Sequence, residues 1–165
     1  MIRLAVVGTN FITDRLLSAL PLSGQFSLTA VYSRSLARAE EYGKAHGASY
    51  FYNSLEELAK SSQVDAVYVA SPNSFHAAQS IMLLTGKKHV LCEKPLSGSA
   101  KDVEDIIHCC DEAGVVFMEA FAYLHSPIIQ EIKKTVQSGA IGKVTMAEAA
   151  FFIVPPKPED IRWKK

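Results

Sequence analysis

Between residues 2 and 118, short β-branched runs alternate with longer segments of helical period. Four of the helical segments are closed by Pro21, Gly47, Gly86 and Gly114. This rhythm constrains the chain more than any other feature. A strand, a helix and a further strand close into a right-handed βαβ unit, and repeating the unit builds a parallel sheet. Strands are expected at residues 2–7, 27–33, 49–52, 64–70, 88–92 and 115–118. Helices are expected at residues 11–20, 35–46, 73–85 and 99–113, with Pro21 stopping the first. A shorter helix opens at Ser54, where Glu57 completes the spacing of a capping box. The run 64–70 is almost wholly apolar, as a strand covered on both faces requires.

After residue 121 the rhythm changes. A helix at 127–138 is broken by Gly139 and Gly142, residues 143–154 read as a long strand, and 155–165 show no element. The expected organisation is an α/β fold: a doubly wound parallel sheet of Rossmann type, with helices on both faces, over residues 1–121. Residues 122–165 then begin an α+β domain left incomplete, since one helix and one strand close no core. Residues 147–154 would leave an apolar stretch exposed.

Charge and cysteine usage exclude several function classes. Seventeen basic and seventeen acidic side chains cancel, so no whole-chain field draws in nucleic acid or an anionic membrane. No window is apolar over about 18 residues, and the opening run is too short for a signal peptide. Cys92, Cys109 and Cys110 form no C-x-x-C pattern, which argues against a disulfide framework and a metal site. These features point to a reduced, cytoplasmic protein, with the Cys109–Cys110 pair as helix packing.

Candidate chemistry falls at the ends of the expected strands. Gly8-Thr9-Asn10-Phe11-Ile12-Thr13 stands where the glycine-rich phosphate loop of a dinucleotide fold belongs. A helix start offers free N–H groups and a positive dipole end to a pyrophosphate. Gly8 permits the tight turn. Asn10 replaces the second glycine and tolerates left-handed backbone, while Thr13 replaces the third and predicts looser helix–strand packing. On this motif alone an ordinary strand–turn–helix corner stays open. At the next strand end Ser33 and Arg34 stand where an acidic residue would select NAD; they suit a 2′-phosphate and favour NADP. Arg38 adds a second cation, unless both arginines simply pair with Glu40 or Glu41 on a solvated face.

Ser71-Pro72-Asn73-Ser74-Phe75-His76 follows the fourth strand. Ser71 and Asn73 can bond a ribose or phosphate, Asn73 can cap the next helix, and His76 is either structural or part of the crevice. Glu93-Lys94-Pro95-Leu96 follows the fifth. A Lys94 ammonium beside a substrate hydroxyl would stabilise the alkoxide from which hydride leaves, with Glu93 orienting it or holding a ribose; a surface ion pair is the plain alternative.

Taken in order, these motifs, with Met118-Glu119-Ala120-Phe121 and Gly139-Ala140-Ile141-Gly142-Lys143-Val144, resemble the glucose–fructose oxidoreductase / inositol dehydrogenase / MocA family of NAD(P)-dependent oxidoreductases. The resemblance covers nearly the whole chain. It implies hydride transfer between NADP or NAD and a sugar, polyol or related cyclic alcohol, with Lys94 as the catalytic lysine. It implies that Gly8, Thr9, Asn10, Phe11 and Ile12 line the pyrophosphate and nicotinamide side. Ser33, Arg34 and Arg38 would meet the adenosine end. Ser71, Pro72, Asn73, His76, Glu93, Lys94 and Glu119 would border the remainder of the cofactor. Tyr123 keeps the pattern of sugar-oxidising relatives, whereas Leu124 and Ser126 depart from it. The resemblance also implies a chain about as long again, with the general base beyond Lys165, and a homo-oligomer at full length. By that reading these residues are the cofactor half, inactive alone. A dinucleotide-sensing regulatory module or an inert fragment is the competing expectation.

Overall fold

A computed structural model describes residues 1–150 and 152. The chain divides into two compact units, Met1–Ala120 and Phe121–Lys165. The first holds six strands: β1 (Ile2–Val7), β2 (Phe26–Tyr32), β3 (Tyr50–Tyr52), β4 (Ala66–Val69), β5 (His89–Cys92) and β6 (Phe117–Glu119). All pair in parallel, in the order β3-β2-β1-β4-β5-β6. This is the doubly wound topology of a Rossmann sheet.

Alternation along the strands sends side chains to two separate cores. Ala5, Val7, Val67, Val69, Val90 and Cys92 face one way and pack with Leu55, Leu58, Leu83, Leu84 and Ile106. These last belong to α3 (Leu55–Lys60), α4 (His76–Thr85) and α5 (Ala100–Ala113). Leu4, Val6, Val31, Tyr68 and Ala70 face the other way, onto α1 (Phe11–Ser23) and α2 (Leu36–Ala45) through Leu16, Leu17, Leu20, Ala39 and Tyr42. Each fully buried aliphatic side chain stabilises the fold by roughly 1.5–3 kcal/mol. The period of two along β1 therefore commits the strand to both helix layers at once.

At the amino edge of the sheet, Arg3 and Asp65 join the starts of β1 and β4. The Arg3 amide and Nε donate to Asp65 Oδ2 at 2.8 and 3.0 Å, and a second guanidinium nitrogen donates to Oδ1 at 2.5 Å. These bonds hold the Asp65 carboxyl down at about 2. Nearby, the buried Lys88 ammonium donates to the carbonyls of Ser61 and Val64 at 2.5 and 2.9 Å. Burial lowers its pKa.

Several local expectations are corrected. Helix α1 passes through Pro21 and ends at Gly24. A proline in the last turn removes a single helical bond, whereas Gly24, at φ 62°, adopts the left-handed conformation that stops the helix. The Ser54 hydroxyl does accept from the Glu57 amide, but its carboxylate partner is Glu56, to which it donates at 2.9 Å. The expected helix from residue 73 begins with a 3-10 turn, Asn73–Phe75, preceded by Pro72, and no side chain caps it.

The second unit opens with a 3-10 turn, Ala122–His125, then α6 (Pro127–Gln137) with proline in its first turn. The Gln130 amide donates to the Leu124 carbonyl. Ile128, Ile129, Ile132 and Val136 are exposed on α6. The strand expected at 143–154 is absent from 143–150. An extended segment needs a partner strand to satisfy its backbone, and none is described beside it. Residues 151 and 153–165, including the expected tail, lie outside the described residues. Among the described residues no helix is long and apolar enough to cross a membrane.

Candidate functional site

Parallel strands bring their carboxyl ends to one edge of the sheet, and the turns after β1, β2, β4, β5 and β6 meet there. Gly8 sits at φ 110°, and a Cβ on it would stand 2.5 Å from the Ala70 carbonyl oxygen. Only glycine lets the first turn press this closely on the end of β4. Asn10 completes the join. Its amide nitrogen donates to Ala70 O at 2.6 Å, while its Oδ1 accepts from the Ile12 and Thr13 amides at 2.9 and 3.4 Å. Asn10 is thus an N-cap in extended backbone, φ −113°, rather than a left-handed glycine substitute. Thr13, fully buried, donates its hydroxyl to the Gly8 carbonyl at 3.1 Å. The bond ties helix to turn, so the third-glycine position is tightly packed here, against expectation.

The amides of Thr9, Asn10 and Phe11 have no hydrogen-bond partner among the described residues. Unpaired N–H groups at the start of a helix longer than three turns fit a pyrophosphate. The residues present therefore suit a dinucleotide.

After β2, the Ser33 amide donates to Tyr52 O at 3.0 Å and its hydroxyl accepts from the Ser35 amide at 3.4 Å. Arg34 is exposed, with no side-chain partner among the described residues. Arg38 does pair with Glu41, at 3.1 Å. Its Nε also donates to the Thr9 hydroxyl at 3.3 Å, bringing the turns after β1 and β2 together.

After β4, the Ser71 hydroxyl donates to Gln79 Oε1 at 2.6 Å. Asn73 is exposed and its side chain is uncommitted among the described residues. His76 is 1% exposed, with Nδ1 2.9 Å from Pro95 O and Nε2 2.8 Å from Ser71 O. The ring bridges the loops after β4 and β5 instead of opening onto the crevice.

After β5, the backbone is held while the lysine is free. Glu93 Oε1 accepts from the Tyr68 hydroxyl at 2.7 Å, and Oε2 accepts from the Lys94 amide at 3.2 Å. Glu119, at the end of β6, accepts from the Leu96 amide at 3.0 Å. Lys94 is exposed and makes no ion pair with Glu93 or any other described residue. Burial, reinforced by the bond to Glu93, pushes the Tyr68 hydroxyl well above its usual range, so it stays a donor. Burial likewise lifts the Cys92 thiol to about 11, which makes it a packing group rather than a nucleophile. Tyr68 and Gln79 carried no motif signal. Their partners lie 25 and 8 residues away, and each reads locally as ordinary strand or helix.

Topology and turn geometry together define a Rossmann domain shaped for a dinucleotide. The model described as "Oxidoreductase family, NAD-binding Rossmann fold" (GFO_IDH_MocA) matches residues 2–121, and the chain belongs to that family. It is 43% identical to scyllo-inositol 2-dehydrogenase (NADP(+)) IolU of Bacillus subtilis over 92% of this chain and 45% of that protein. It is 32% identical to dTDP-3,4-didehydro-2,6-dideoxy-alpha-D-glucose 3-reductase of Streptomyces violaceoruber, over 99% of this chain and 48% of that one. Among solved structures it resembles KijD10, a 3-ketoreductase from Actinomadura kijaniata in complex with NADP and TDP-benzene. The TM-score is 0.78 at 33% identity, covering 86% of this chain and 44% of that one. The chain thus spans somewhat under half the length of the curated relatives it matches.

Proposed function

We propose that the protein is an NADP-preferring oxidoreductase that moves a hydride between the nicotinamide and a secondary alcohol of a sugar, polyol or related cyclic alcohol. The observation that carries this is the contrast around Lys94. Tyr68, His76 and Glu119 hold the surrounding loop by hydrogen bonds, while the Lys94 ammonium that this loop presents has no partner among the described residues. The bound nicotinamide supplies a two-electron hydride acceptor or donor. Gly8, Thr9, Asn10, Phe11 and Ile12 form the turn that receives the pyrophosphate. Ser33, Arg34 and Arg38 receive the adenosine 2′-phosphate, and Ser71, Pro72, Asn73, Glu93 and Glu119 border the ribose and nicotinamide. Lys94 donates to the substrate oxygen, and its positive charge stabilises the alkoxide that forms as the hydroxyl proton passes to water or to a general base outside these residues. His76 acts through the loops it joins. Residues 122–165 belong to a substrate and oligomerisation domain, and by the family resemblance the full-length protein is a homo-oligomer. Three free cysteines support a reducing, cytoplasmic setting.

The test pairs binding with turnover. In fluorescence titrations Arg34→Ala weakens NADPH about tenfold or more and NADH little, because a charge-assisted phosphate contact is lost. Equal losses would overturn the NADP preference. On a panel of polyols and keto sugars, tested with a chain extended to the length of its relatives, Lys94→Ala lowers kcat by about 10²–10⁴ with NADPH affinity kept. Intact NADPH binding by that extended chain without turnover on any substrate would leave a dinucleotide-sensing module in place of the enzyme.

A further inference from the structure

Helix α2 carries Arg38 and Tyr42 and is capped by His46, each four residues from the next, so the three side chains lie on one side. The Arg38 guanidinium lies 5.6 Å from the Tyr42 ring centroid, and the His46 ring stacks on Tyr42 at 4.3 Å. Tyr42 is 6% exposed, and its hydroxyl donates to Asp14 Oδ1 of α1 at 2.5 Å. His46 Nε2 lies 3.7 Å from the same carboxylate oxygen, and its Nδ1 is 2.9 Å from Tyr42 O. The tyrosine ring is therefore fixed between two helices, with its outer side under a guanidinium. That guanidinium reaches the Thr9 hydroxyl in the phosphate turn.

We propose that Tyr42 is a positioning residue for coenzyme choice: its ring holds Arg38 at the junction of the phosphate turn and the β2 end, where a 2′-phosphate would sit. An unsupported arginine spreads over many rotamers, and its exposed partner Glu41 competes for it. A ring beneath the guanidinium removes part of that freedom and adds a cation–π attraction, neither of which depends on contact between Tyr42 and the coenzyme. The inference rests on the 2′-phosphate reading proposed above.

The experiment measures dissociation constants of NADPH and NADH for the wild type and for Arg38→Ala, Tyr42→Leu and Tyr42→Phe, with thermal midpoints as a folding control. Arg38→Ala is expected to lower the NADPH preference about tenfold or more. Tyr42→Leu is expected to lower it about two- to fivefold through NADPH alone, the loss of an exposed cation–π contact. Tyr42→Phe, which keeps the ring, is expected to hold it within about twofold of wild type. An unchanged preference in Arg38→Ala would overturn the 2′-phosphate reading at this residue and the inference with it. A preference that falls in Arg38→Ala but not in Tyr42→Leu would overturn the inference alone. Equal weakening of both coenzymes in Tyr42→Leu would reduce the residue to packing, and loss of preference in Tyr42→Phe matching that in Tyr42→Leu would remove the ring as the support; either overturns it.

Discussion

The Tyr68 hydroxyl donates to Glu93 Oε1 across 2.7 Å, joining a fully packed side chain of β4 to the loop that presents Lys94. One core residue thereby fixes a carboxylate whose other oxygen receives the Lys94 amide. Tyr68→Phe leaves that carboxylate short of a donor. Urea unfolding should show a loss of about 1–3 kcal/mol. Unchanged stability would make the bond incidental.

The first turn admits no side chain at Gly8. Gly8→Ala forces a Cβ to within 2.5 Å of the Ala70 carbonyl oxygen at φ 110°. The turn must open or the strand ends must part, at a cost of about 1–3 kcal/mol. NADPH affinity is expected to fall at least tenfold. An Ala variant that binds as the wild type does would show that the turn does not receive the pyrophosphate.

Asn10 is predicted to matter as a cap. Asn10→Gly removes both the bonds to the Ile12 and Thr13 amides and the bond to Ala70 O. Asn10→Asp keeps the first two and loses the third, because a carboxylate cannot donate. The Gly variant should lose about 1 kcal/mol or more in thermal or urea denaturation. The Asp variant should bind NADPH more weakly, since it adds negative charge beside a pyrophosphate.

The Arg3–Asp65 pair gives the fold an acid limit. Its carboxyl titrates at about 2 in the folded chain, below the ordinary value near 3.9. The stabilisation is therefore complete above about pH 4 and disappears as pH falls through about 2. Both side chains are more than a third exposed, so solvent screening keeps the effect to about 1 kcal/mol or less. Denaturation of Asp65→Asn across this range should lack that acid component, and NADPH affinity should be unchanged.

Much of the frame was legible because it depends on local pattern. The apolar, β-branched run in Ile2–Val7, the nearly unbroken apolar run through β4, and the capping signal at Ser54 each declare an element within a few residues. Pro21 misled because a proline's effect depends on its place in the helix, which only Gly24 settles. At the site, Gly8 and Lys94 were legible as strand-end residues. Tyr42 and Tyr68 were not. Each looks like an apolar core residue in its own segment, and the atom that gives it a role lies on an element 28 or 25 residues distant. His76 carried a motif, but the direction of its ring follows from where two loops come to rest, which no local rule states.

The guanidinium–carboxylate clamp between Arg3 and Asp65 lies at the opposite margin of the sheet from Gly8, five residues along β1, roughly 16 Å away. Heat tolerance and coenzyme appetite can accordingly be tuned on separate margins: mutant libraries seeded around the clamp, the Lys88 ammonium and the Ser62 carbonyl would harden the scaffold while leaving the recognition loops as they are.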